Sequence, residues 1–140
     1  MNNGFILSKR WYYILSLTWG LPLTLIGLVC GLCLLMAGKT PKKHLYGYYF
    51  IVGKNWGGAN LGIVTIVCKD SSTELRNHEF GHSIQNCIFG PFTIFFVSLP
   101  SCIRYWIRSI SNKELPPYDY AWFEGMATMF GERYSARIKQ

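Results

Sequence analysis

One stretch of this 140-residue sequence organises the rest: residues 71–91, SSTELRNHEFGHSIQNCIFGP. Ser71 can cap the start of a helix, and Glu74 completes a capping box three residues later. Gly90 and Pro91 end the helix, because glycine suits the position past the last turn and proline cannot continue it. The stretch therefore predicts a helix over about residues 72–89.

The predicted helix contains the pattern His-Glu-x-x-His, formed by His78, Glu79 and His82. Histidines four residues apart project from one helix face, so two imidazoles can hold one zinc ion. Glu79 lies beside them and can act as a general base, because zinc lowers the pKa of its bound water. The pattern predicts a Zn²⁺ site, and the alternative is a pair of exposed histidines beside an acid.

A catalytic zinc site needs a third protein ligand and one open position. We prefer Glu124 to His44, because the helical face around Glu124 and the motif residue Gly81 leave room for two helices to approach closely. Asp119 and Glu132 are expected to hydrogen-bond the back of a histidine ligand instead. The small residues on the face of Glu124 are Ala121, Ala127, Thr128 and Gly131.

The developing oxyanion of a hydrolytic reaction also needs a hydrogen-bond donor near the metal. Several donors follow the motif closely enough to be candidates, and nothing in the sequence selects among them. They are Tyr118, Tyr120, Arg133 and Tyr134.

The composition favours contact with lipid. Half of the residues are apolar and 15% are charged, against about 25% charged in an average soluble domain. Such a composition excludes a disordered chain, and an odd number of cysteines, five, argues against a disulfide scaffold. All seven acids follow residue 69, so the net charge of +7 lies in the first half. These basic residues bracket apolar runs, which favours a lipid bilayer as partner and argues against nucleic acid.

Residues 11–38 carry no charge, and as one helix they would be about 42 Å long, enough to cross a hydrocarbon core of about 30 Å. We expect a transmembrane anchor within an N-terminal unit, residues 1–40, with a kink at Pro22. Gly27 and Gly31 have the spacing of a helix-packing motif and suggest a homo-oligomer through this helix. The flanking charges slightly favour a cytoplasmic position for the domain that follows.

Residues 41–140 are predicted to form one α+β domain. Residues 46–52 and 61–68 are rich in aromatic and β-branched residues and flank a turn-rich segment, which indicates a β-hairpin. Residues 92–111 predict a bent, membrane-associated helix, with a second full crossing of the membrane as the rival reading. A last helix is expected over residues 119–138.

The second half of the bent segment is amphipathic. Ser101, Arg104, Arg108 and Ser111 share one face, and Ile103, Trp106, Ile107 and Ile110 share the other. If Glu124 joins the two histidines, this segment cannot cross the membrane completely, because a single crossing would separate the ligands. A shared metal site therefore requires the bent form.

The motif from His78 to His82, with Glu124 following 42 residues after the second histidine, resembles the gluzincin branch of the zincin metallopeptidases. It is also similar to small membrane-anchored bacterial proteins. The resemblance covers at most residues 60–135. It implies a minimal zincin-like core that hydrolyses peptide bonds in a protein or peptide substrate at the bacterial cell membrane. It further implies His78, His82 and Glu124 as zinc ligands, Glu79 as the base, and strand 61–68 as an edge strand that pairs with the substrate.

Two alternatives remain. A site-2-type intramembrane metalloprotease would carry the motif in an apolar spanning helix with an aspartate ligand, whereas this helix carries Arg76, Asn77 and Gln85. The second alternative is a small membrane protein without catalysis, which acts as a partner or regulator through helix packing.

Overall fold

A computed structural model describes residue 4, residues 6–111 and residues 113–139. Part of the expected N-terminal tail, residues 1–3 and 5, lies outside the described residues. The described residues form an α+β fold, as predicted, with these helices: α1 (Lys9–Leu17), α2 (Leu21–Met36), α3 (Thr73–Phe89), α4 (Leu99–Ile110) and α5 (Trp122–Ile138). The strands are β1 (Lys42–His44), β2 (Gly47–Ile51), β3 (Gly58–Leu61) and β4 (Val64–Val67).

The uncharged N-terminal stretch is two helices, so the prediction of one long anchor helix is wrong. The axes of α1 and α2 differ by 92°. Pro22 lies in the first turn of α2, where a missing N–H costs no hydrogen bond, so it begins a helix instead of kinking one. Among the described helices none alone is long and apolar enough to cross a bilayer. Two bent helix pairs pass the same test of length and composition when each pair is taken together: α1–α2, and Thr73–Phe92 with Ile94–Ile110.

The sheet has the strand order β1-β2-β4-β3. β2 and β4 are parallel, so the predicted hairpin between them is wrong. β3 and β4 instead form an antiparallel hairpin that turns at Gly62, whose φ of 75° suits glycine, and β1 and β2 form another. β3 lies in the segment predicted as a turn, because its residues have low strand propensity and only pairing with β4 makes them a strand. β2 and β4 are therefore the central strands, and β1 and β3 are the edge strands.

Helix α2 packs on this sheet through its small residues. A Cβ on Gly27 would collide with the Leu61 carbonyl of β3. One on Gly31 would lie 3.4 Å from Phe50 and 3.6 Å from Val64. The glycine face that suggested helix–helix association therefore contacts the sheet of the same chain, and the homo-oligomer stays a prediction.

The N-cap of helix α3 is one residue later than the predicted N-cap. Ser72, not Ser71, is the N-cap, and its hydroxyl accepts the Leu75 N–H at 3.1 Å. The last residue of the helix is Phe89, as predicted, and Gly90 is the C-cap, with a φ of 57°. Glu74 lies in the first turn, where its charge complements the helix dipole.

The chain bends sharply after α3. A 3-10 turn over residues 90–92 and a π-helical turn over residues 94–98 precede α4, and the bend between the two helical arms is 119°. Pro100 lies in the first turn of α4 and does not interrupt it. The bend therefore lies at the start of residues 92–111 and not within them: the expected interruption at Pro100 is wrong, because proline in a first turn costs no hydrogen bond, and Ile94–Ile110 is one helical arm that folds back from α3.

Helices α3 and α5 lie against each other, and α5 begins at Trp122 after a 3-10 turn over residues 118–120. A Cβ on Gly81 would collide with the Ala127 carbonyl, and one on Gly131 would collide with the Asn77 carbonyl. The small residues thus bring the two backbones into direct contact, as predicted.

Candidate metal centre

The three expected ligands meet between α3 and α5. Oε2 of Glu124 lies 3.0 Å from Nε2 of His78 and 3.2 Å from Nε2 of His82. One donor atom from each residue falls within 4.8 Å of the others, so the group could hold a metal ion. Two ligands of a tetrahedral zinc with bonds of about 2.0–2.1 Å lie roughly 3.3 Å apart. Two nitrogens and a carboxylate oxygen are ligand types that zinc accepts, so the three side chains could hold a metal ion between α3 and α5.

Neutral side chains orient both imidazoles. Nδ1 of His78 lies 2.8 Å from Oγ1 of Thr128, and Nδ1 of His82 lies 2.7 Å from Oε1 of Gln85. Gln85 is itself fixed, because its Nε2 donates to the Phe123 carbonyl at 2.6 Å. An oxygen that accepts from Nδ1–H leaves Nε2 free to bind a metal.

These contacts correct the role that was expected for Asp119 and Glu132, which was to hydrogen-bond the histidine ligands. The backs of both rings are occupied by other residues, so Asp119 and Glu132 do not orient the histidines. Asp119 and Glu132 instead line the polar part of the cleft described below. Nor does His44 join the ligands, as expected, since its Nε2 lies 2.9 Å from Oδ1 of Asn77.

Glu124 is fully buried, with no exposed surface. Its second oxygen, Oε1, accepts a hydrogen bond of 2.5 Å from the hydroxyl of Ser101 on α4. Burial alone would raise the pKa of Glu124, but hydrogen bonds from His78, His82 and Ser101 hold it below its usual range. Glu124 is therefore a carboxylate with one oxygen held by Ser101 and the other directed at the histidines.

Glu79, the predicted general base, lies at the sheet edge. Glu79 is 6% exposed, and a Cβ on Gly58 of β3 would lie 2.9 Å from its Cγ. Glycine at this position lets the carboxylate pack on the strand. Burial raises the pKa of Glu79 above its usual value, although the neighbouring His82 and His78 oppose the shift.

A cleft passes the site between β3 and α4. Its first part, a cavity of about 220 Å³, has a largely apolar wall that includes Leu23, Val97 and Trp106. Its second part, about 370 Å³, carries the acids Glu74, Asp119 and Glu132. Residues shared by both parts are Gly58, His78, Glu79, Tyr105 and Tyr118. The cleft is thus apolar at one end and acidic at the other, with Glu79 between.

Of the four oxyanion candidates, only Tyr118 lines the cleft. Its ring centroid lies 6.3 Å from that of His78, and burial raises its pKa to about 12. The hydroxyl of Tyr134 accepts the Leu7 N–H at 2.7 Å in the core. Arg133 lies against Gly4, and Tyr120 is 79% exposed. Among these four residues, Tyr118 is therefore the one that borders the cleft beside the histidines.

Sequence reasoning missed Ser101, Gln85 and Thr128 as site residues. Gln85 lies three residues after His82, so its position on the same helix was a usable signal. Ser101 and Thr128 reach the site only because α4 folds back and α5 packs on α3, and no local pattern encodes those contacts.

Comparison with known proteins adds no relative to this picture: no protein-family model, no curated protein and no solved structure matches the chain.

Proposed function

We propose that this protein is a membrane-associated zinc metallopeptidase that hydrolyses peptide bonds with Glu79 as the general base. One observation supports the proposal. A His-His-Glu group that could hold a metal ion lies beside a buried carboxylate, at an edge strand of the sheet.

Each residue of the site has a definite task in this reaction. A bound zinc ion supplies Lewis acidity and lowers the pKa of a coordinated water. Glu79 accepts the proton of the attacking water and delivers it to the leaving amine, and its raised pKa suits transfer near neutral pH. In this proposal the hydroxyl of Tyr118, which lines the cleft, donates to the developing oxyanion.

The edge strand supports a peptide as the substrate. β3 pairs with β4 on one side only, and its residues Gly58–Leu61 all border the cleft. An extended peptide can add to such an edge through main-chain hydrogen bonds, which tolerate many sequences. In this proposal the substrate pairs with β3. The expected pairing with strand 61–68 is corrected, because β4 lies in the interior of the sheet.

The two alternatives are less well supported. A site-2-type protease would require an aspartate ligand, and the ligand geometry here comes from Glu124 while Asp119 lines the cleft. A protein without catalysis would not need a buried base beside the ligands. Attachment to a bacterial cell membrane and a cytoplasmic orientation stay predictions from the charge pattern.

The test compares the wild type with Glu79→Gln, both in lipid vesicles. Cleavage of a diverse peptide library is measured by mass spectrometry. Zinc content should equal that of the wild type, while cleavage should fall about 10²–10⁴-fold, because the general base is lost. The matched control is Glu114→Gln, an exposed acid in the linker before α5. Wild-type cleavage by Glu79→Gln would refute the proposal.

A further inference from the structure

Helix α4 is amphipathic, with its faces reversed relative to a helix on a water-soluble protein. Its polar residues Ser101, Arg104 and Arg108 are half-buried against the protein. Its apolar face is exposed: Ile103 50%, Ile107 54% and Ile110 76%, and Trp106, 68% exposed, lies between this face and the cleft. A surface helix in water turns its apolar stripe to the core. The outer face of α4 is therefore suited to an apolar medium.

The inner face of α4 is attached by polar contacts, and none of its residues is fully buried. Arg104 donates to the Tyr118 carbonyl at 3.1 Å, and Arg108 donates to the Pro116 carbonyl at 2.6 Å. Both guanidinium groups lie over the Tyr118 ring, at 5.5 and 5.4 Å. With Ser101 bound to Glu124, α4 touches both a metal ligand and the oxyanion donor.

The exposed apolar surface continues from α4 to α2. Phe92, Phe95 and Phe96 precede α4 and are more than half exposed, and the Trp19 ring beside α2 lies 6.3 Å from Phe92. The chain also suits anionic lipid, because its net charge is +7 and residues 80–113 contain no acid. A broad apolar surface on a basic chain fits an anionic bilayer better than a second copy of this chain, which is equally basic.

We propose that α4 lies on an anionic lipid bilayer, and that this contact holds Ser101 against Glu124 and so stabilises the metal-binding arrangement. Lipid covers the apolar face that water would otherwise meet, which keeps α4 in place over the site. Ser101 then acts as a positioning residue that fixes one oxygen of Glu124. The inference rests on the proposed metal site, but not on peptidase activity.

Lipid docking is tested by fluorescence quenching on the full chain in phosphatidylcholine–phosphatidylglycerol vesicles. Cys30, Cys33 and Cys102, the cysteines that are not buried, are replaced by serine, and one labelled cysteine is introduced. A label at Ile107→Cys should be quenched by lipid-borne nitroxides, while one at the exposed Lys69→Cys should not. If the label at 107 is quenched no more strongly than the label at 69, docking on lipid is refuted. The same result is expected if a second copy of the chain covers the label at 107.

The coupling is tested by zinc affinity in the same vesicles, measured by competition with a chromophoric chelator. Ser101→Ala should weaken zinc binding about 10–100-fold, and Ser101→Thr should restore it because the hydroxyl returns. The matched control is Ser109→Ala, whose hydroxyl bonds within α4 to the Tyr105 carbonyl at 2.9 Å. Unchanged affinity in Ser101→Ala would overturn the positioning role.

The lipid dependence of the site needs one more pair of variants. Ile103→Asp, made in the chain labelled at Ile107→Cys, should reduce both quenching and zinc affinity, whereas Lys69→Asp should leave zinc affinity unchanged. Normal zinc affinity in Ile103→Asp, with quenching lost, would overturn the coupling. If these effects appear in a chain that cleaves no peptide, the proposed function fails and the inference stands. If the wild type binds no zinc, the metal site and its coupling fail together, and quenching still decides the docking.

Discussion

At the scale of single residues, the orientation of each imidazole is set by a neutral oxygen. Thr128 and Gln85 hold the Nδ1 atoms of His78 and His82, at 2.8 and 2.7 Å. A hydroxyl or amide adds no charge to a buried site that already contains Glu79 and Glu124. Further carboxylates there would raise the cost of burial, which gives a reason for the acids to lie out in the cleft.

We predict that Thr128→Val weakens zinc binding about 10–100-fold, because the ring of His78 loses its hydrogen bond while the volume is kept. Zinc affinity by chelator competition is the measurement. Glu132→Gln and Asp119→Asn serve as controls and should leave the affinity unchanged. A loss in either control as large as that in Thr128→Val would restore the carboxylates as orienting groups.

At the scale of elements, the site depends on how closely α3 and α5 approach. Gly81 and Gly131 let each backbone contact a carbonyl of the other helix, which brings Glu124 within reach of both histidines. The small residues of α5 predicted this contact from sequence, because their spacing places them on one helix face. The fold-back of α4 after the bend of 119° then adds Ser101.

Gly81→Ala should lower the free energy of unfolding by about 1–3 kcal/mol, because its methyl group meets the Ala127 carbonyl. Thermal denaturation in vesicles or detergent measures the change. Gly31→Ala is the matched control: its nearest neighbour would be Phe50 at 3.4 Å, and the helix gains up to about 1 kcal/mol from alanine. Equal stability of the two variants would contradict the close helix contact.

At the scale of the whole molecule, the candidate site joins two parts of the chain that are distant in sequence. His78 and Glu124 are 46 residues apart, and α4 with its linker lies between them. A ligand that binds only the folded protein stabilises it in proportion to the logarithm of its concentration over Kd. Metal binding should therefore be coupled to global stability.

We predict that zinc at a hundredfold excess over Kd stabilises the wild type by about 2.7 kcal/mol. Glu124→Ala should lose both stoichiometric zinc and this stabilisation, because it removes one of the three residues that could hold the ion. His44→Gln is the control, because His44 contacts Asn77 outside the ligand group. Retention of zinc by Glu124→Ala, seen by metal analysis, would sink the ligand assignment.

The sequence alone was sufficient for the features that depend on spacing along one helix. Both imidazoles lie on one face of α3 because residues four apart project in the same direction, and the end of α3 follows from Gly90 and Pro91. The preference for Glu124 followed from its small neighbours on α5. These inferences need only local geometry, which residue types largely determine.

Three features were decided by the tertiary structure alone. They are the position of β3 at an edge of the sheet, the break in the N-terminal stretch, and the contact of Ser101 with Glu124. β3 is a strand only because β4 pairs with it, and β4 is central only because it also pairs with β2. Such pairings join residues whose own propensities are weak or ambiguous. Their energy comes from contacts between distant segments, and no local window of sequence contains both partners.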